Sequence, residues 1–197
     1  MKKRATWASV CLMGTLAASF VAAAGCAKGG DGAAGGVSPQ TMTDALFAVI
    51  SADRAVYTRE VVNRLQNEKV VKATEKYQDE KTLPLPAMML RMGAEHAKKT
   101  DPSFSYALLS LWAINKQNAP KTDVEKEGLQ YVVDNAGKNF YKEEMLGDKK
   151  YFTAVYADKG VVEACVNCHN GHADSPKKDF KVGDTMGAVV IRVPLGK

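Results

Sequence analysis

Residues 165–169 read Cys-Val-Asn-Cys-His, a C-x-x-C-H pentapeptide. Two thiols with two residues between them, followed at once by an imidazole, form the attachment pattern of a c-type haem. Cys165 and Cys168 would each add across one vinyl group of the same haem. His169 would bring a ring nitrogen to the iron as proximal ligand. Three other chemistries use the same residue types. A thioredoxin-like redox pair needs a βαβ setting, which is not legible around the motif. A zinc ion would draw on Cys165, Cys168, His169 and His172, four legal ligands within eight residues. Zinc sites usually use two separated pairs, however, and adjacent Cys168 and His169 reach one tetrahedral ion poorly. A Cys165–Cys168 disulfide is the third. The N-terminus favours haem, because c-type haem is attached on the exported side of a membrane and this chain opens like an exported one. One covalent haem c is therefore the expected cofactor.

The export signal occupies residues 1–25. Lys2, Lys3 and Arg4 form its positive start, and Ala5 to Gly25 carries no charge. That stretch is long enough to span a bilayer, but its Ala, Ser, Thr and Gly content and small-residue end suit a cleaved signal. Ala23-Ala24-Gly25-Cys26 resembles a bacterial lipobox, which makes Cys26 a lipidated first mature residue. Ala23 stands where a larger aliphatic is usual, so ordinary cleavage after Ala24 is the alternative. Cysteine arithmetic supports lipidation. Cys11 leaves with the signal, the haem takes two thiols, and Cys26 would otherwise be odd. Residues 26–37 then form a Gly/Ala-rich tether to a domain over residues 38–197. Asp is absent just after Cys26, which by resemblance to Gram-negative lipoproteins favours the outer membrane. The expected location is thus the periplasmic side, with a lipid anchor as the membrane contact.

Charge excludes one class of partner. The net +5 is inflated by the signal, which leaves 24 basic against 22 acidic residues from Cys26 onward. No basic block marks a nucleic-acid surface. Scattered lysines near a haem edge would instead suit a redox partner protein.

Several elements must position the motif. A long amphipathic helix is expected to begin near Thr41, with a stripe of Met42, Leu46, Val49, Ile50, Val56, Tyr57, Val61 and Leu65. Polar residues 67–81 read as partly helical. A second helix runs over 87–98. Residues 103–112 read as a strand, 115–120 as a loop, and Thr122-Asp123 as the cap of a short helix. Residues 140–146 and 151–156 form two strands around a Gly147-Asp148 turn. The haem motif falls on a short helix or turn over 161–170, and 186–193 is a final strand. The sum is an α+β layout.

The segments 52–66 (ADRAVYTREVVNRLQ), 84–95 (PLPAMMLRMGAE), 111–129 and 151–193 resemble the haem c-binding PAS-like domain family, catalogued as a domain of unknown function. C-x-x-C-H followed by K-V-G-D-x-x-G-A is the most specific match. The resemblance implies a PAS-like antiparallel sheet, a long N-terminal helix and one covalent haem near the C-terminus. It also implies that the distal ligand can come from the N-terminal helix. That helix here offers no Cys, His or Met between Ala45 and Gln66, so the sixth position stays open among Met88, Met89, Met92, His96, Tyr57 or none. Arg54 could donate to a haem propionate or to a bound small molecule.

The sixth ligand decides the function. Two strong ligands give an exported monohaem cytochrome that transfers electrons. An open site permits a redox or gas sensor that binds a small diatomic. A peroxidase-type enzyme would need an acid/base pair such as Arg54 and His96, and no motif supports it.

Overall fold

The computed structural model describes residues 36–196. The signal, Cys26 and most of the tether lie outside these residues. The first helix, α1 (Pro39–Val56), starts at Ser38, whose side chain accepts from the backbone N–H of Thr41 at 3.1 Å, with Pro39 in the first helical position. It passes directly into a π-helical stretch, Tyr57–Asn63, and then into α2 (Arg64–Asn67). Lys69 ends the run in a left-handed conformation (φ 58°), and the N–H of Val70 returns to the Leu65 carbonyl at 2.9 Å. That is a Schellman closure with lysine where glycine is usual.

The stripe expected to face the core is corrected. Val49 and Val56 are 62% and 58% exposed, whereas Thr43, Thr58 and Val62 are buried. The π turns supply part of the reason. In an α-helix each four-residue step drifts by roughly 40° around the axis. Wider π turns undo that drift, so Thr58 and Val62 stay on one face. Thr58 tolerates burial because its hydroxyl donates to the Arg54 carbonyl at 2.7 Å.

Residues 67–81 are partly helical, as expected. They hold β1 (Ala73–Thr74) and a single turn, α3 (Tyr77–Glu80), and β1 pairs in parallel with β2 (Leu83–Pro84). Next come α4 (Pro86–Thr100), β3 (Ser105–Leu109) and α5 (Asp123–Asp134). A full capping box opens α5, in which Thr122 and Glu125 satisfy each other's backbone donors. A 3-10 turn, Lys116–Asn118, lies in the expected loop. Then β4 (Phe140–Leu146) and β5 (Lys149–Lys159) form the hairpin. Gly147 alone has positive φ (60°) at the first central position of its two-residue turn, which is the type II′ pattern. Last are α6 (Glu163–Gly171), carrying the C-x-x-C-H, and β6 (Thr185–Pro194).

The four long strands form one antiparallel sheet in the order β3-β6-β5-β4. Both its faces are covered, which explains why residues 186–191 read as an unbroken apolar run. Leu129 and Val132 of α5 pack on Val155, Ala188 and Val190. Gly128 permits that approach: a methyl group there would come within 2.5 Å of Val155. On the other face Leu46, Phe47, Ile50 and Leu90 pack on Ala154, Tyr156, Val189 and Ile191.

One polar contact ties α1 to the sheet. The hydroxyls of Tyr141 and Tyr156 both donate to Asp44 Oδ1 at 2.7 Å, and Phe47 stacks on Tyr156 at 4.2 Å. Burial, with Asp44's carboxylate, pushes the Tyr156 hydroxyl well above its ordinary range. Asp44→Ala strands two donors and should cost about 2 kcal/mol in urea denaturation. Asp44→Asn, which keeps an acceptor, should cost less.

Candidate cofactor site

Helix α6 brings the motif to one face. Cys165 and Cys168 are three residues apart, and His169 follows Cys165 by four, so all three project from neighbouring positions. His169 Nδ1 lies 2.9 Å from the Cys165 carbonyl. A carbonyl can only accept, so Nδ1 carries the proton and Nε2 keeps its lone pair for a metal. The ring also meets Phe180 edge-on at 6.3 Å. Phe180 is buried and held by Asn170, whose side chain donates to its carbonyl (2.9 Å) and accepts from its N–H (3.0 Å). Val166, Phe180 and Met186 form the small core beneath α6, with Trp112 and Cys165 against it.

Both thiols are free; Cys165 is half-buried and Cys168 exposed. Burial, then the charge of Glu75, pushes the Cys168 thiol up. Among the described residues no three His, Cys, Asp or Glu side chains gather as metal ligands, which is what the zinc reading needs. His172 caps α6 from its far end; its Nδ1 accepts from the Asp174 N–H at 3.1 Å, and Glu75 lies 3.8 Å from Nε2.

The motif lines a cavity of about 470 Å³. Cys165, Cys168 and His169 form one wall. Arg54, Thr58, Val62, Asn63 and Gln66, from the end of α1 through α2, form another with Met88 and Arg91 of α4. The far end of the sheet closes it. There a bulge breaks the β5–β6 register between Asp158 and Lys159, leaving Met186 as the extra residue on β6. The Met186 carbonyl, freed from the ladder, accepts from Ser110 Oγ at 2.7 Å.

Of the five distal candidates, Met88 lines this cavity and the other four do not. Tyr57 donates to the Pro84 carbonyl at 2.8 Å, Tyr77 donates to the Met92 sulfur at 3.4 Å, and His96 is exposed. His96 therefore does not join Arg54 as an acid/base pair. Asp158 was not singled out from the sequence. It grips Arg54 through two hydrogen bonds, Nε to Oδ1 at 2.9 Å and Nη2 to Oδ2 at 2.6 Å. Their separation of 104 residues left no sequence signal. The cavity fits a haem in kind: it is of cofactor size, and it has two thiols and a free imidazole nitrogen on one wall.

A four-stranded antiparallel sheet with a long N-terminal helix, opening at one end onto a side-chain-lined cavity, defines a PAS-like α+β domain. The chain belongs to the Tll0287-like family, whose model matches residues 38–194. Its fold is similar to the crystal structure of the cyanobacterial heme-protein Tll0287, with a TM-score of 0.52 and 14% identity over 80% of this chain and 97% of that one. Comparison with curated proteins finds no match.

Proposed function

We propose that this protein is an exported monohaem c-type cytochrome that transfers electrons on the periplasmic side, tethered to the outer membrane through lipidated Cys26. The hydrogen bond from His169 Nδ1 to the Cys165 carbonyl carries the reading, because it orients the imidazole and leaves Nε2 for iron, beside both thiols on one cavity wall. Each thiol adds across one vinyl group, sulfur to one carbon and hydrogen to the other, and nothing leaves. When bound, the haem supplies a one-electron store. The chain's own residues would hold it: Cys165 and Cys168 by thioethers, with His169 and Met88 as ligands to the iron. Phe180 fixes the imidazole and excludes water behind it. A partner protein takes the electron at the haem edge.

An optical spectrum of protein matured in a host with a c-type haem system tests this. A Soret band that survives acid–acetone extraction, and a low-spin reduced form indifferent to carbon monoxide, are the expected results. Carbon-monoxide binding by the wild-type protein would move sensing of small ligands ahead of electron transfer. Stoichiometric zinc with no Soret band would sink the haem reading. Met88→Ala should open the sixth position, so the reduced variant binds carbon monoxide. Met89→Ala, Met92→Ala and His96→Ala should behave as the wild type in the same titration.

A further inference from the structure

We propose that Lys177 raises the reduction potential of the haem from outside the cavity, as a cation held on the aromatic ring that packs against His169; this rests on the haem reading above. Its ammonium lies 5.1 Å from the centre of the Phe180 ring and 5.5 Å from the centre of the Trp112 ring. Phe180 in turn meets His169 edge-on. The cation and the imidazole stand one aromatic ring apart. His169 and Trp112 line the cavity, whereas Phe180 and Lys177 do not. The charge therefore sits outside the haem's seat and acts through the ring beside the iron's ligand.

The local structure holds the ammonium in place. Buried Ser175 donates from its hydroxyl to the Lys177 carbonyl at 2.7 Å, and its N–H donates to the His172 carbonyl at 3.2 Å, which ties the loop to the end of α6. The Trp112 N–H donates to Ser110 Oγ at 3.0 Å, and Trp112 meets Phe180 edge-on at 5.5 Å. Both rings attract the cation. Asp179 accepts from the ammonium at 2.5 Å, but the two charges do not cancel at the iron. The Lys177 side chain is 28% exposed and that of Asp179 is 79% exposed. Water screens the outer charge more than the inner one. A net positive field on the His169 side results.

Losing an electron makes the iron and its ligand more positive. A nearby cation opposes that loss and favours the reduced form, more strongly where water is excluded. Lys178 carries the same charge one residue on and is exposed, which makes it the control. The test is a redox titration of the haem-loaded full chain in the wild type, K177M, K177R, K178M and D179N, with an optical spectrum of each. Methionine keeps an apolar stem on the two rings and removes the charge. K177M should shift the reduced-to-oxidised ratio at fixed poise about threefold toward oxidised, roughly 28 mV for one electron, with the Soret position unchanged. K177R, which keeps the charge, should stay near the wild type, and K178M should shift the ratio less than K177M does. D179N, which leaves the ammonium uncompensated, should shift it toward reduced. A loaded K177M with an unmoved ratio overturns the proposal. So does a K178M shift as large as that of K177M, which would reflect net charge alone, or an equally large K177R shift, which would reflect packing. Where K177M does not mature, D179N decides, and a shift toward oxidised, or none, is fatal to the idea. A wild type without any Soret band would instead remove the haem reading, and this proposal with it.

Discussion

Replacing Cys165 and Cys168 together by serine should take covalently bound haem from one per chain to none, read as the Soret band left in the protein after acid–acetone extraction. Serine keeps the size and polarity of each side chain but lacks the sulfur nucleophile that forms a thioether. The loss should be confined to attachment. Helix α6 is held chiefly by Val166 against Phe180 and Met186, and by the Asn170 clamp on Phe180, with Cys165 only at the edge of that core. Far-UV circular dichroism should therefore still show the antiparallel sheet in the double variant. His169→Ala gives the complementary result. The thioethers form, but the iron loses its proximal nitrogen and the reduced haem turns high-spin. Together the two variants separate attachment from ligation, the two roles proposed for adjacent residues of one helix turn.

The second large effect lies away from the cavity. Arg192 stands between two buried glutamates, with Nη2 at 2.7 Å from Glu125 and Nε at 2.8 Å from Glu144. Glu144 also accepts from Thr153 at 2.6 Å, and Glu125 accepts from the backbone N–H of Lys121 and Thr122. Arg192→Ala leaves two buried carboxylates with no cation and should cost about 3–5 kcal/mol in urea denaturation near neutral pH. Burial pulls Arg192 down and Glu144 up, but their hydrogen bonds and mutual charge win, so the net result is a raised Arg192 and a lowered Glu144. The sign for Glu144 follows. Its folded value lies below its unfolded one, so its contribution is present above the unfolded value, about 4.3, and is lost as the pH falls through the folded one. In Arg192→Ala that favourable pairing is gone, and acid relieves the variant by neutralising the stranded carboxylates. The gap between wild type and variant should narrow from about pH 7 to about pH 4.

Most elements of the fold were legible because their signals are local. Thr122 with Glu125 three residues on specifies a helix start, Gly147 a hairpin turn, and residues 161–170 a short helix. The features that escaped depend on distant residues. The stripe of α1 misled because apolar spacing says which residues would suit a core, not how the following π turns rephase the helix. Nothing in YTREVVN distinguishes a π turn from an α turn. Thr43, a residue type that often caps helices, is instead fully buried within α1, which Ser38 caps. Four of the five ligand-capable side chains weighed for the iron were excluded only by three-dimensional placement. Met88 and Met92 differ by one helical turn, yet Met88 reaches the cavity and Met92 meets Tyr77.

The π turns between α1 and α2 have a consequence for how this domain tolerates change in length. A π turn is an α turn carrying a surplus residue, and Arg59 and Glu60, both exposed, are the inexpensive ones to lose. Deleting either would leave an unbroken α-helix with every residue still content in its own turn. Because the wide turn absorbs the surplus residue, its loss would leave α1 within roughly 30° of its present phase relative to the segment that follows. Asp44 would stay near its two tyrosines and Arg54 near Asp158. Homologous chains should accordingly vary in residue type at these positions and tolerate one residue fewer there.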